Sequence, residues 1–442
     1  MSLEDRGGGR PSDRAIGIES EIGRLRRVVV HTPGGEIESM TPRTASRVLY
    51  NDIIPISVVS DEHRMLKDVL ASVAEVYETT DLLAAALADP EWKRRLVETV
   101  CADAPAAARR DELLALDPRE LVTTLVGGLA ARGDTLTEVL SGHEYDLPPL
   151  PNLYFMRDSS CVIRDRVVIG AMAHGVRTSE ALLMRAVFGA RSGTPDGTVR
   201  GEVLYDGCHE QLVAADGPVA GRSPDLRLEG GDVLVVRRDL LLVGVSERTS
   251  SAALDALARR LVEAYEEPLT MIAVILPAER STIHLDMIFT LVDRDSALVY
   301  EPYVTGPRRV DVYSLRLAPG STTRVEKHDG LLAALELHGV SLRPVPCGGH
   351  DPVVREREQW LSAANVFAFA PGRIIGYDCN VATMEAFDRA GYEVKSAREF
   401  LDAGAPADGP GRLFVGIPGI NLARGGGGPR CMTLPVLRDA LS

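Results

Sequence analysis

Residues 232–245 read "DVLVVRRDLLLVGV" and residues 251–266 read "SAALDALARRLVEAYE", and these two stretches decide the fold class. The first carries runs of branched apolar residues of the length expected for buried β-strands. The second places apolar residues at every third or fourth position, which predicts an amphipathic helix. Strands and helices that alternate along a chain in this way favour an α/β fold.

Similar segments lie on both sides of this pair. Strands are predicted within "RLRRVVV" (24–30), "SSCVIRDRVVIGAM" (159–172), "TMIAVILP" (270–277), "HLDMIFTLV" (284–292), "SALVYEP" (296–302), "NVFAFAPGRIIGYD" (365–378) and "RLFVGI" (412–417). Helices are predicted around residues 60–80 and 380–392, where apolar residues again recur at helical spacing. Three places share a strand followed by a helix, which indicates weak internal repetition.

Residues 78–146 differ in composition, because alanine and leucine dominate there and strand-forming residues are scarce. Asp89 and Asp117 each place a capping side chain directly before a proline suited to the first turn of a helix. Glu120 lies three residues after Asp117, as in a capping box. The segment is therefore predicted to contain several short helices.

These patterns predict a division into domains. An all-helical insert over 78–146 interrupts an α/β domain made of residues 17–77 and 147–442. Residues 1–16 lack the apolar stretch of a secretion signal and are predicted to be a disordered leader on a cytoplasmic protein.

The composition of the 442-residue chain limits its partners. Hydrophobic residues at 45% and charged residues at 25% are typical of a globular protein. The net charge of -14 disfavours binding to nucleic acid or anionic membranes, and no apolar run is long enough to span a bilayer. Six cysteines scattered without a CxxC pair argue against a zinc ribbon or a disulfide framework. A small molecule is therefore the expected partner.

The segment "TIHLDMIFTLV" carries two ionisable residues within an apolar strand pattern. On a strand, His284 and Asp286 would lie on one face, while Leu285 and Met287 would lie on the other. Burial of two ionisable groups is costly unless they are paired, so this pair indicates a site. The alternative is a strand end at which both side chains reach water.

Two loops supply further candidates. In "RLEGGDVLVV", Glu229 and Asp232 flank two glycines that permit a tight turn and the close approach of a ligand, although an ordinary turn is the alternative. In "NLYFMRDSS", Asn152, Arg157 and Asp158 lie on a loop that enters a strand. Arg157 and Asp158 would alternatively form a surface ion pair.

Cys431 is the last candidate, in the stretch "RGGGGPRCMTLP" (424–435). Backbone amides of the glycine run, with Arg430 alongside, would lower the pKa of the thiol. A free cysteine is more often a small buried hydrophobe, so Cys431 alone favours the structural alternative. Together with a histidine and several carboxylates, however, it suits nucleophilic attack on a cationic carbon.

Taken together, these motifs resemble the arginine deiminase family of guanidino-group modifying enzymes. The shared motifs are "RVVVHTPGGEIESMTP", "NLYFMRD", "LEGGD", "SERT", "HLD", "EREQW" and "GGPRCM", in the family's order and over nearly the whole chain. The resemblance implies a pseudo-fivefold α/β propeller, the pentein fold, with a helical insert. The insert favours arginine deiminases over the related agmatine and dimethylarginine hydrolases.

The resemblance also implies catalytic roles. Cys431 would attack the guanidinium carbon and form a covalent thiouronium, and His284 would protonate the departing ammonia and then activate water. Asp158 and Asp286 would bind the guanidinium through charge-assisted hydrogen bonds. Glu229 would hold His284 in its working protonation state.

A second group of residues is implied to bind the other end of the substrate. Asn152, Arg177 and Arg248 match residues that bind an α-carboxylate, and Asp232 supports the neighbouring loop. Two arginines at that end favour an amino acid over agmatine, which would leave their charges unpaired. The expected reaction is hydrolysis of L-arginine, or of a close guanidino amino acid, to L-citrulline and ammonia.

The chain departs from the family pattern at Gly426, where the family's loop usually carries a substrate-contacting arginine. Three alternatives therefore stay open: amidino transfer or arginine dihydrolysis through the same intermediate, and arginine binding without turnover. No metal or organic cofactor is implied, because the cationic substrate supplies its own charge and no His/Cys cluster has zinc spacing. The resemblance further implies a homo-oligomer.

Overall fold

The computed structural model describes residues 15–102, 104–133, 136, 140, 144–190, 199–209, 225–320, 324–404 and 409–441. Apart from its last two residues, the leader predicted over 1–16 lies outside the described residues. None of the described helices combines the length and the apolar character needed to cross a bilayer.

The described elements alternate between strands and helices. The strands are β1 (Leu25–Val30), β2 (Glu75–Glu78), β3 (Leu129–Ala130), β4 (Tyr145–Leu147), β5 (Ser160–Ile163), β6 (Arg166–Ile169), β7 (Glu202–Asp206), β8 (Val233–Arg237), β9 (Leu240–Val245), β10 (Leu269–Ile275), β11 (Phe289–Asp293), β12 (Ser296–Val299), β13 (Asp311–Leu317), β14 (Arg324–His328), β15 (Arg343–Pro346), β16 (Phe367–Ala370), β17 (Arg373–Tyr377), β18 (Tyr392–Ser396), β19 (Arg412–Ile417) and β20 (Leu434–Arg438). The α-helices are α1 (Gly35–Glu38), α2 (Ile56–Val73), α3 (Thr79–Leu87), α4 (Pro90–Val100), α5 (Ala104–Ala107), α6 (Arg110–Ala115), α7 (Pro118–Gly127), α8 (Met156–Ser159), α9 (Thr178–Gly189), α10 (Ser251–Ala264), α11 (Glu301–Val304), α12 (Leu331–Leu337), α13 (Pro352–Trp360), α14 (Val381–Arg389), α15 (Ala397–Asp402) and α16 (Ile420–Arg424). Short 3-10 turns lie at Ala45–Val48, Gly175–Arg177, Gly230–Asp232, Arg280–Thr282 and Leu285–Met287.

One arrangement of three strands recurs along the described chain. Two consecutive strands pair antiparallel, and after a longer connection a third strand pairs parallel with the second. The sheets β5-β6-β7, β8-β9-β10, β11-β12-β15 and β16-β17-β19 all follow this order. Two parallel strands need a crossover connection between them. In the four sheets, taken in the same order, this connection contains α9, α10, α12 and α14. The predicted α/β class is confirmed.

The two ends of the described chain complete a fifth module of the same kind. Strand β20 pairs antiparallel with β1, and β1 pairs parallel with β2 after the crossover helix α2. In this fifth module, β20 therefore has the position that the first strand has in each of the other modules. Internal repetition, which the sequence indicates at three places, extends to five.

Burial explains why the stretch from residue 232 to residue 266 forms a hairpin and a helix. Nearly all of β8 and β9 is buried, as expected for strands covered on both faces. Helix α10 buries Leu254, Leu257 and Leu261, which share one face at spacings of three and four. The Ser250 side chain caps this helix by accepting a hydrogen bond from the backbone N–H of Ala253.

Three strands outside the modules extend two of the sheets. Strand β13 pairs with β10 of a neighbouring module, β14 pairs with β13, and β18 pairs with β19. The sequence did not predict β14, because most of its residues are exposed and its sequence lacks an apolar pattern.

The described residues between 79 and 127 form five short helices, as predicted. Asp89 accepts a hydrogen bond from the backbone of Glu91, and Asp117 forms the predicted capping box with Glu120. The buried leucines of these helices belong to the same hydrophobic core as α9 and α10. The prediction of helices alone over 78–146 is wrong near the end of that range, because β3 and β4 pair there as a short antiparallel ribbon. The boundaries of a separate insert domain stay a prediction.

Two further local predictions are wrong. The helix predicted over residues 60–80 ends at Val73, because Ala74 is extended and the chain then pairs with β1 as β2. The strand predicted to include His284 begins only at Phe289. A 3-10 turn precedes it, because the backbone N–H of Leu285 donates to the carboxylate of Asp232 at 2.8 Å instead of to a neighbouring strand.

Candidate active site

The candidate catalytic residues occupy one equivalent place in several modules. Each lies shortly before the first strand of its module: Asp158 before β5, Glu229 and Asp232 before β8, His284 and Asp286 before β11, and Cys431 before β20. All six side chains are buried. The repeated topology therefore brings together residues that are far apart in sequence.

The imidazole of His284 is fixed between two carboxylates. Its Nε2 lies 2.9 Å from Oε2 of Glu229, and its Nδ1 lies 3.6 Å from Oδ1 of Asp158. Burial alone would lower the pKa of His284, but the charge of Asp158 and the hydrogen bond to Glu229 outweigh it and raise the pKa to about 9. Burial would raise the pKa of Glu229, but His284 and Arg248 lower it to about 2. His284 is therefore an imidazolium at neutral pH.

Arg177 is held by two buried acids. Its Nη1 donates to Oδ2 of Asp158 at 2.7 Å, while Nε and Nη2 donate to Glu180 at 3.0 and 2.8 Å. Burial would lower the pKa of Arg177, but Glu180 and Asp158 raise it well above its usual value. Burial raises the pKa of Glu180 to about 7. Asp158 keeps one buried oxygen, Oδ1, that accepts no hydrogen bond from the described residues.

The alternative ion pair between Arg157 and Asp158 is not the arrangement found. Both side chains are buried, and Nε of Arg157 donates to the carbonyl of Thr433 at 3.0 Å. Arg157 thereby ties the segment before β5 to the segment before β20.

Asp286 links the candidate nucleophile to a buried arginine. Sγ of Cys431 donates to Oδ2 of Asp286 at 3.7 Å, and Nη1 of Arg430 donates to the same oxygen at 2.7 Å. Arg430 also donates from Nε to Glu21 at 3.1 Å and from Nη2 to the carbonyl of Val233 at 2.9 Å. Glu21 has no motif around it, so the sequence alone does not single it out.

The pKa of the Cys431 thiol does not shift in the predicted direction. Burial and the charges of Asp286 and Asp158 raise the pKa well above its usual value. The backbone N–H of Gly428 and the charge of Arg430 lower it, but they do not outweigh the other causes. The expectation of a lowered pKa is therefore wrong, and the thiol is protonated at neutral pH.

The glycine run before Cys431 is packed against the protein. A Cβ at Gly425 would lie 2.1 Å from the hydroxyl oxygen of Tyr154, and one at Gly428 would lie 2.5 Å from the carbonyl oxygen of Asn365. Gly426 differs, because a Cβ there would meet nothing within 4 Å although φ is +95°. Close packing requires glycine at positions 425 and 428, while the left-handed backbone favours glycine at position 426.

Asn365 is a further residue that the sequence analysis missed. Its Oδ1 accepts a hydrogen bond from the backbone N–H of Cys431 at 2.9 Å, and its Nδ2 donates to the carbonyl of Asp286 at 3.4 Å. Asn365 lies two residues before β16, which is the equivalent place in the fourth module. Its position within the internal repeat is the signal that would have found it.

A cavity of about 280 Å³ opens over these residues. Of the predicted residues, those that line it are Asn152, Asp158, Arg177, Arg248, His284 and Cys431. Glu229, Asp232 and Asp286 are buried and are not among the lining residues, although Oδ2 of Asp286 lies 3.7 Å from Sγ of Cys431, which lines the cavity. Other lining residues that the sequence did not single out include Leu49, His174, Glu247 and Arg280.

Arg248 and Asn152 differ in whether their side-chain N–H groups make hydrogen bonds within the described chain. Nη1 of Arg248 lies 3.6 Å from Oε2 of Glu229, but neither Nε nor Nη1 finds a hydrogen-bond partner within the described chain. Asn152 donates from Nδ2 to the carbonyl of Val48 at 2.9 Å. Arg248 therefore offers buried donors on the wall of the cavity.

Asp232 stabilises the turn that carries His284. Besides accepting from Leu285, it accepts a hydrogen bond from Oγ of Ser246 at 2.6 Å. Burial raises the pKa of Asp232 to about 7, although the charge of His284 opposes this shift. A Cβ at Gly231 would lie 2.5 Å from Nδ1 of His284, so this glycine allows the close approach of the imidazole rather than of a ligand.

Three of these groups have the spacing of a metal site. Ligand atoms of Asp158, Glu229 and His284 lie within 4.8 Å of one another. Arg177 and Arg248 are ion-paired with the same carboxylates, and His284 is itself cationic. This charge distribution disfavours an added metal cation and leaves the carboxylates paired with guanidinium groups.

Comparison with known proteins agrees with this geometry. Residues 46–438 match the arginine deiminase family. The arginine deiminase of Mycobacterium tuberculosis (strain ATCC 25618 / H37Rv) is 33% identical over 96% of this chain and 99% of that protein. The arginine deiminase of Listeria monocytogenes serovar 1/2a is 31% identical over 97% and 99%.

A solved structure of SxtG, an amidinotransferase from Microseira wollei in the saxitoxin biosynthetic pathway, is similar in fold. It is 14% identical, with a TM-score of 0.52 over 97% of this chain and 98% of that chain. The likeness confirms the pseudo-fivefold α/β propeller, which the five modules build. With its family match, its full-length relatives and its fold in agreement, this chain belongs to the arginine deiminase family.

Proposed function

We propose that the protein hydrolyses L-arginine to L-citrulline and ammonia through a covalent intermediate on Cys431. One observation carries the proposal: the Cys431 thiol, the His284 imidazolium and the Asp158 carboxylate line one cavity, with Asp286 3.7 Å from the sulfur. This set provides a nucleophile, a proton carrier and anionic groups for a cation.

The carboxylates are suited to hold a guanidinium. Oδ1 of Asp158 and Oδ1 of Asp286 are buried, and neither accepts a hydrogen bond from any described residue. Buried acceptors are rarely left unpaired, so both oxygens are available to N–H donors of a ligand. Charge-assisted bonds from a planar cation would fix its orientation as well as its position.

A bound cation also supports activation of the thiol. The charges of Asp286 and Asp158 raise the pKa of Cys431, and a guanidinium placed between them would offset both charges. The Cys431 thiol gives up its proton to solvent, and the resulting thiolate attacks the guanidinium carbon. The bond from this carbon to one terminal nitrogen breaks, and that nitrogen leaves as ammonia with a proton from His284.

Hydrolysis of the resulting thiouronium completes the reaction. Neutral His284 takes a proton from water as the water attacks the same carbon. The carbon–sulfur bond then breaks and the remaining hydroxyl proton passes to the departing sulfur, which releases the ureido product and restores the Cys431 thiol and the His284 imidazolium. Because Glu229 holds Nε2, Nδ1 of His284 is the nitrogen available for both proton transfers. Asn365 would position Cys431, since it accepts from the nucleophile's own backbone N–H.

The cavity also offers donors to an amino-acid head. Arg248 has donors without a hydrogen-bond partner among the described residues, and Arg177 and Asn152 line the same cavity. These groups are proposed to bind the α-carboxylate, while Asp232 supports the turn behind them. A substrate without a carboxylate would leave the arginine donors unpaired, which disfavours agmatine.

The proposal extends to the protein's surroundings. We expect a cytoplasmic homo-oligomer with a small-molecule substrate and no nucleic-acid or membrane partner. All six cysteines are free thiols, which supports a reducing compartment. The reaction as written needs neither a metal nor an organic cofactor.

The direct test is a product assay with purified protein. L-Arginine should yield L-citrulline and ammonia in equal amounts, and Cys431→Ala should yield neither while still binding L-arginine in calorimetry. Two ammonia molecules per arginine would instead indicate a dihydrolase, and an amidino product that forms only with an added amine would indicate transfer. Failure of the unchanged protein to form citrulline would refute the proposal.

A further inference from the structure

Arg280 lines the same cavity from a segment to which no role has been assigned. It begins the 3-10 turn Arg280–Thr282, four residues before His284. Its side chain is exposed, and its Nη2 donates to the carbonyl of Leu49 at 2.7 Å. Leu49 also lines the cavity, so this hydrogen bond joins two parts of the wall that are far apart in sequence.

The three arginines that line the cavity differ in their partners. The donors of Arg177 are engaged by Asp158 and Glu180, and Arg248 lies 3.6 Å from Glu229. Arg280 has no carboxylate within ion-pair distance among the described residues, and the Leu49 carbonyl is its hydrogen-bond partner there. Its charge is therefore the least compensated of the three.

The backbone of Leu49 is in an unusual conformation. Its φ of 70° and ψ of 16° place it in the left-handed region, which is disfavoured for a leucine side chain. Neighbouring groups hold the segment in place, because Asn152 donates to the carbonyl of Val48 and the hydroxyl of Tyr50 donates to the carbonyl of Pro151. Backbone strain that the surroundings maintain often marks a ligand-binding site.

The glycine run leaves space beside these groups. Gly425, Gly426 and Gly427 line the cavity without side chains, and the direction of a Cβ at Gly426 is open. Arg280 and this glycine run therefore line one cavity, in which a ligand carboxylate would meet an exposed guanidinium that has no carboxylate partner among the described residues.

We propose that Arg280 is a specificity-determining residue that pairs with the carboxylate of the substrate's amino-acid head. This inference rests on the proposed hydrolysis of L-arginine. In the complex, the guanidinium of Arg280 exchanges its neutral partner, the Leu49 carbonyl, for a charged one, and charge-assisted hydrogen bonds are the stronger kind. Arg248 supplies buried donors, and Arg280 supplies an exposed cation.

The test compares two ligands that differ in the carboxylate alone. Binding of L-arginine and of L-argininamide is measured by calorimetry in Cys431→Ala protein, with and without Arg280→Gln. We expect Arg280→Gln to weaken L-arginine binding about tenfold and L-argininamide binding less than about twofold. Arg280→Lys should recover part of the affinity for L-arginine, since it restores the charge.

Arg398→Gln, which changes an exposed arginine on α15, serves as the control and should alter neither affinity. Equal weakening for both ligands, or no weakening for L-arginine, would overturn the role of Arg280. This result leaves the proposed function intact if the unchanged protein still forms citrulline. If the unchanged protein forms no citrulline and the Cys431→Ala protein binds no arginine, the proposed function and the inference both fail.

Discussion

At the scale of single residues, the contact between Glu229 and Nε2 of His284 sets the protonation state on which the proposed chemistry depends. His284 is protonated below its pKa of about 9, so it can donate a proton at neutral pH and loses that ability as the pH rises through about 9. Glu229→Gln removes a charge and a hydrogen bond that raise this pKa. We predict that the alkaline limb of the kcat/KM profile moves down by at least about one pH unit.

The control for this prediction is Glu326→Gln, which changes an exposed carboxylate on β14 and should leave the pH profile unchanged. A Glu229→Gln protein with an unmoved alkaline limb would show that another group controls it.

Short motifs allowed the sequence to predict Cys431, His284 and Asp158, because each lies beside residues that form a recognisable pattern. The buried ion pairs of Arg430 could not be predicted in this way. Arg430 pairs with Asp286 across 144 positions, and it reaches Glu21 across 409. Pairing at such separations follows from the arrangement of the modules, and no local pattern encodes it.

At the scale of elements, Glu62 fixes the helix that leads into the glycine run. Its buried carboxylate accepts hydrogen bonds from the backbone N–H groups of Asn421 and Leu422 and from the side-chain amide of Asn421, at the start of α16. Glu62→Gln replaces one accepting oxygen with a donor. We predict a loss of about 1–3 kcal/mol in the free energy of unfolding and a lower kcat, since α16 runs directly into Gly425.

Urea denaturation and steady-state kinetics measure the two effects of Glu62→Gln. Asp61→Asn on the same helix is the matched control, because its side chain is 70% exposed and its ion pair is a surface one. A normal kcat alongside a reduced stability would mean that Glu62 stabilises α16 without influencing Cys431.

The spacing of apolar residues predicts a helix or strand well where one of its faces is buried. It predicts poorly where contacts between residues far apart in sequence determine the conformation. Helix α10 follows its apolar spacing. The sequence predicts β2 as part of the preceding helix, because the pairing of β2 with β1 leaves no separate signal in the sequence. The sequence predicts a strand where a 3-10 turn follows His284, since the contact with Asp232 that forms this turn spans 53 positions.

At the scale of the whole molecule, a cluster of buried charges joins the two chain ends to the other modules. Glu21 accepts a hydrogen bond from Arg430 and faces Arg157 at 3.9 Å. Burial lowers the pKa of Arg157 to about 10 and that of Arg438 to about 9, so these cations depend on a counter-ion. For Glu21, the nearby arginines outweigh burial and lower the pKa to about 2.

We predict that Glu21→Gln lowers the free energy of unfolding by about 3–5 kcal/mol, because it leaves buried cations without their counter-ion. Chemical denaturation measures the loss. Glu19→Gln, which changes a more exposed acid paired with Arg238, should cost less than about 1 kcal/mol. Similar losses in the two variants would argue against a central role for Glu21.

The class of fold could be predicted from alternating strands and helices, and its fivefold form from the resemblance to a family. The pairing of β20 with β1 could not, because it joins opposite ends of the chain and both strands look like ordinary apolar runs. The weak repetition visible in sequence reflects modules that share topology more than residues.

The most direct measurement is rapid acid quenching of the protein with L-arginine, followed by mass spectrometry of the peptide that contains Cys431. We predict an adduct on Cys431 with the mass of arginine less ammonia, which forms before citrulline and decays as citrulline appears. Cys431→Ala protein should give neither adduct nor citrulline. Citrulline formation by Cys431→Ala protein, or turnover that never modifies Cys431, would contradict covalent catalysis by this thiol.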